Sequence, residues 1–164
     1  MEKNIINIDA HVIDDIRTII TRARSKAYQS INETLIRSNW EIGKRIVEEE
    51  QLGKQRADYG IQLIKSISQQ LTTEFGSGYG VRNLAYFKQL YQYFPDWEIL
   101  HARVQNLTWT HLKSILRVTD AEARLWYLKE SSEQMWSTRT LDRNVASQSL
   151  LSRLEIIGPE KAWI

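Results

Sequence analysis

From Asp9 to Glu50 the chain carries an apolar side chain at almost every third or fourth position and no proline. Val12, Ile16, Ile19, Ala23, Ala27, Ile31, Leu35, Ile42 and Ile46 form the series, and the first glycine it meets is Gly43. This spacing follows the helical turn and sets the residues along one stripe, whereas a strand would alternate by two. Asp9 stands where a carboxylate can accept the first orphan amide hydrogens of a helix. Two outcomes fit the spacing: one long helix, or two helices bent near Arg37 to Asn39. A stripe this long without a stop signal suggests oligomeric packing, so a homodimer is expected.

The remainder repeats the helical period in shorter pieces. Gln51 to Asp58 is polar around Gly53 and predicts a loop. Tyr59 to Phe75 places Ile64, Ile67, Leu71 and Phe75 on one face. Gly76-Ser77-Gly78-Tyr79-Gly80 is the densest turn signal in the chain, with Gly76 placed as a left-handed helix stop. Val81 to Phe94 resumes the period through Leu84, Phe87, Tyr91 and Phe94, and Pro95 ends it. Asp96 to Asn106 is ambiguous between a loop, a short strand and a helical turn. Thr108, Asp120 and Ser137 then stand as caps for three further helices, reaching about Leu154, with Trp109, Leu112, Leu116, Leu141, Val145 and Leu151 as core candidates.

With two prolines and seven glycines in 164 residues, turns are too few for an all-β design. The expected fold is all-α: a long N-terminal helix or helix pair, a central helix-turn-helix and a C-terminal three-helix cluster. Residues 1–156 are expected to form one domain, with an arm at 9–50, a helix-turn-helix at 59–94 and a cluster at 108–154. Residues 157–164 form a tail or the start of a linker. No apolar run approaches membrane-span length, and Met1 to Asp9 has no secretory pattern. The absence of cysteine rules out a thiol nucleophile or cysteine-ligated zinc and fits a reducing compartment, so the expected location is cytoplasmic.

No catalytic constellation is legible. His11, His101 and His111 are scattered, no pair of histidines is set four apart on a helix around a carboxylate, and no glycine loop leads into Lys-Ser/Thr. The glycine cluster at 76–80 follows a helix rather than a strand, which excludes a dinucleotide loop. No cofactor, metal or catalytic residue is expected, and the chain is not expected to be an enzyme in its own right.

The segment 59–94, helix then glycine turn then helix, offers a binding surface instead. Helix-turn-helix proteins lay the second helix in the major groove of DNA. Opposite its core side that helix carries Arg82, Tyr86, Gln89 and Tyr93, with Lys88 nearby. Arginine pairs with guanine and glutamine with adenine, while tyrosine and lysine reach phosphates. Lys44 and Arg45 on the long helix could track the backbone. The competing reading is an ordinary solvated hairpin, or a protein-interaction and oligomerisation module with no nucleic-acid role. Net charge is only +2 and decides neither way.

Several segments, taken in order, resemble a known family. They are Asn39 to Gln51, Ala57 to Gly60, Leu71 to Gly76, Arg82 to Leu84, Leu107 to Leu112, and Trp136-Ser137 followed by Leu141. Together they resemble the N-terminal domain of the YhcG-type bacterial proteins, formerly a domain of unknown function, over roughly Arg17 to Leu154. The resemblance implies a helical DNA-binding domain that works with a nuclease domain of the PD-(D/E)XK type, in cis or in trans. Arg82 and Asn83 match the family motif, and with the helix-face reading they make Tyr79, Arg82, Asn83, Tyr86, Lys88 and Gln89, supported by Lys44 and Arg45, the expected nucleic-acid-binding set. Asn83 could equally tie the turn. The chain departs from the family at Gly80, where the family commonly has serine, a stronger cap.

Overall fold

The computed structural model describes residues 9–53 and 58–147. Seven α-helices form among the described residues: α1 (Ala10–Leu52), α2 (Tyr59–Phe75), α3 (Val81–Tyr93), α4 (Trp97–Arg103), α5 (Trp109–Leu116), α6 (Ala121–Glu133) and α7 (Thr138–Ala146). A single 3-10 turn, Ser77–Tyr79, joins α2 to α3, and no strand occurs among these residues. The fold is all-α. None of its described helices is long and apolar enough to cross a membrane.

Side-chain caps start five of the helices. Asp9 accepts from the His11 amide, Thr108 from His111, Asp120 from Ala123 and Ser137 from Thr140. Each satisfies an amide that the helix geometry leaves without a partner. Asp96 does the same for Glu98 and Ile99. It starts α4 in the stretch where the sequence pattern was ambiguous. Gly76 ends α2 at φ +93° and ψ −163°. This is a positive-φ conformation outside the left-handed helical well, so the stop is a sharp redirection rather than a left-handed cap.

Helix α1 is continuous, running through Arg37 to Asn39 as one helix rather than two. Its two halves differ in surroundings. Ile36, Asn39, Trp40, Gly43 and Ile46 are buried, whereas Val12, Ile16, Ile19, Ile31 and Leu35 are exposed. Within the described residues the apolar stripe is therefore core only over its C-terminal part. Helices α2–α7 form a head that engages α1 from about Gln29 onward, and residues 10–28 are exposed apart from the half-buried Ile13. Phe75, also set on the apolar face, is 66 % exposed, with its ring edge-on to Tyr79. Leu151 lies outside the described residues.

The head has two apolar clusters. The larger gathers Ile36 and Trp40 of α1 with Leu90, Phe94, Leu112, Ile115, Leu128 and Leu141. The smaller joins Ile46, Ile64, Leu84 and Phe87. Between them α1 crosses α3 at Gly43. A Cβ at that position would fall inside van der Waals contact of the Phe87 carbonyl carbon and oxygen, and 3.0 Å from the Lys88 amide nitrogen. Only glycine allows this approach. Trp40 locks the same crossing, its indole N–H donating to the Phe94 carbonyl at 2.7 Å. With α1 on one side and α5 on the other, α3 is held inside the head rather than projecting from it.

Candidate nucleic-acid interface

Helix α3 begins at Gly80, which supplies no side-chain oxygen, so its first-turn amides have no side-chain cap. Such an end attracts anions through its free N–H groups and the helix dipole. Beside it an open groove of about 340 Å³ runs between α3 and α5. Arg82, Asn83 and Tyr86 line it from α3, and Thr110, Lys113, Ser114 and Arg117 from the α5 side. Asp142 of α7 closes one end.

The charges in this groove are not balanced. Arg117 lies 3.3 Å from Asp142, whose carboxylate also accepts a short hydrogen bond from Ser114. Arg82 and Lys113 have no acidic partner among the described residues. Three cations therefore face one carboxylate across a solvated cleft lined by hydroxyl and amide groups. That combination suits an oxyanion such as a phosphate diester.

The residues singled out from sequence divide between the groove and other tasks. Arg82 is exposed and Tyr86 half-buried at the groove wall. Asn83 also lines it, but its amide donates to the Gly78 carbonyl at 3.0 Å and so ties the turn. Tyr79 is not in the groove; its ring lies between Phe75 and Phe87. Lys88 points to the other side, where its ammonium sits 2.7 Å from Glu50 with both side chains largely covered. A lysine neutralised this way is poorly placed to bind phosphate. Gln89 donates to the Tyr93 hydroxyl at 3.0 Å, and the Tyr93 ring is stacked under the Arg124 guanidinium at 3.4 Å. The polar stripe of α3 is thus mostly covered beyond Tyr86.

Lys44 and Arg45 do not line the groove either. Lys44 lies over the Trp40 ring, and Arg45 pairs with Glu49 at 3.3 Å. Sequence reasoning missed Lys113 and Arg117. Their signal was present: Thr110, Lys113 and Arg117 are three and four apart, opposite the apolar face of Leu112 and Leu116. What the spacing lacked was any sign that this face meets the start of α3. Among the described residues no cluster of three histidines and carboxylates could hold a metal.

Comparison with known proteins agrees with the family resemblance. A family model described as the DUF1016 N-terminal domain matches residues 15–151. The chain is 32 % identical over 164 aligned positions to the protein named Putative nuclease YhcG from Escherichia coli (strain K12). That alignment takes in 82 % of this chain and 44 % of the relative, so the chain spans less than half of the relative's length. No solved structure matches it. With a family model covering most of its length, the chain belongs to the DUF1016 N-terminal domain family.

Proposed function

We propose that this chain is a DNA-binding domain that targets a nuclease, and that it holds the DNA backbone in the groove between α3 and α5. The observation that carries the reading is the pair of unneutralised cations, Arg82 and Lys113, beside the uncapped start of α3. The uncapped amides and Arg82 act on one phosphate and Lys113 on the next, while Arg117 stays paired with Asp142 at the end of the groove. Tyr86 and Thr110 supply hydroxyls at the wall. Contacts of this kind position a duplex and carry no sequence preference by themselves. The relative named as a nuclease supports the partner assignment: a nuclease domain, in cis or in trans, cuts what this domain holds.

The test is a fluorescence titration with a labelled random duplex at two salt concentrations. Removing two phosphate contacts with Arg82→Ala and Lys113→Ala together is expected to weaken binding and lower the slope of log K against log salt by about 2. Lys88→Ala, which breaks the pair with Glu50, serves as a control and leaves the slope unchanged. A double variant that binds like the parent at both salts refutes the reading. The alternative, an oligomerisation module, is favoured by a different observation, the uncovered half of α1. It does not compete for the same surface.

A further inference from the structure

Residues 10–28 of α1 are exposed apart from the half-buried Ile13, and no hydrogen bond or ion pair ties them to the other described helices. The head begins to engage it at Gln29, whose amide donates to Asn106 at 3.2 Å, and at Glu33, which pairs with His101. Ahead of Gln29 the helix runs free for about 28 Å. Val12, Ile16, Ile19 and Ile20 are between 46 % and 63 % exposed along it. An isolated helix of this length is marginal in water, because its stability normally comes from burying one face. These side chains lack that burial among the described residues of one copy.

We infer that two copies of this chain pair through residues 10–28 of α1, side by side and antiparallel. Charge selects both the occupant and the direction. The arm has an acidic end, where Asp14, paired with Arg17 at 3.4 Å, and Asp15 leave a net negative charge, and a basic segment, Arg22, Arg24 and Lys26. Parallel alignment sets each block against its own kind. Antiparallel alignment sets the acidic end of one copy beside the basic segment of the other, twice by symmetry. The arm is therefore complementary to itself. Bulk selects the same direction, since each head starts at Gln29 and an antiparallel overlap leaves the two heads at opposite ends. The two-fold axis falls near Ile19, the midpoint of residues 10–28, where Ile19 of one copy meets Ile19 of the other with Ile16 and Ile20 of each flanking them. The two crossings at Gly43 then stand about 70 Å apart at the helical rise per residue. The pairing stands apart from the DNA-binding reading.

Sedimentation velocity over a hundredfold range of concentration measures the mass, and the dimer is expected to dissociate only at the dilute end. Because the chain has no cysteine, Ser30→Cys accepts a single spin label. Antiparallel pairing separates the two labels by about 33 Å, whereas parallel pairing brings them to about 10–15 Å. Ile16→Glu with Ile19→Glu is expected to give a monomer. The melting of the head should not change, because neither residue is part of its clusters. A monomer at every concentration overturns the inference, as does a dimer that survives the double substitution. Labels at the short distance overturn its direction.

Discussion

Replacing Gly43 by alanine tests the close crossing that positions α3. In an exposed helix the change would help, since alanine is favoured over glycine by about 1 kcal/mol. Here the added methyl meets backbone atoms of Phe87 and Lys88, which cannot rotate away. The helices must separate by an ångström or more, and a gap of that size forfeits up to about half of the dispersion energy between facing atoms. Six buried side chains flank the crossing: Ile36, Trp40 and Ile46 on α1, and Leu84, Phe87 and Leu90 on α3. If each loses the packing of roughly one methylene, about 0.8 kcal/mol, the total is near 5 kcal/mol. Subtracting the propensity gain leaves a net loss of about 4 kcal/mol. Urea unfolding followed by circular dichroism reads this directly, and the melting temperature is expected to fall by about 10 °C or more. Gly78→Ala is the control, because a Cβ there meets nothing within 4 Å. It is expected to stay within about 0.5 kcal/mol of the parent. A Gly43→Ala protein as stable as the control would show that the two helices do not meet this closely.

Two further substitutions probe buried hydrogen bonds that hold the head together. Trp40→Phe keeps most of the apolar contact but leaves the Phe94 carbonyl without its indole donor; a loss of about 1–3 kcal/mol in urea unfolding is expected, and no loss refutes the role. His111→Phe removes both an acceptor for the Thr108 amide and a donor to the Trp136 carbonyl. It is expected to cost about 2–4 kcal/mol and to raise amide exchange at the starts of α5 and α7, whereas unchanged exchange at both would remove His111 from the link between them.

His111 also shows what lies beyond sequence reasoning. The Thr108 amide donates to its Nδ1, so that nitrogen is the acceptor and Nε2 carries the hydrogen given to Trp136. In the sequence it is one of three scattered histidines, with no visible partner. The end of α6 is similar. Met135 adopts φ +51° where glycine would be the signal, and two amides close the helix by donating back, Met135 to Ser132 and Trp136 to Ser131. The turn holds because Trp136 is fixed from two sides, by His111 and by its ring against Trp126. A position stabilised by its neighbours leaves no local mark.

The candidate interface was legible in the same uneven way. Arg82 and Tyr86 stood out because they lie opposite the apolar face of α3, and both border the groove. Lys88 and Gln89 stood out for the same reason, yet Glu50 and Tyr93 engage them. A helical wheel separates the inward side from the outward side. It does not say which outward residues another helix then covers.

The sequence by itself determined the class of fold, the helix starts other than that of α4, and the membership of the family. Those depend on interactions between residues a few positions apart: apolar spacing against the helical turn, and Ser, Thr or Asp ahead of a first turn. Tertiary structure alone decided how much of the apolar stripe on α1 is core, and which cations remain unpaired. Both depend on where elements distant in sequence come to rest. The head covers α1 only from about Gln29 onward, and α3 lies between α1, which Gly43 lets touch it at the backbone, and α5, which brings Lys113 beside Arg82.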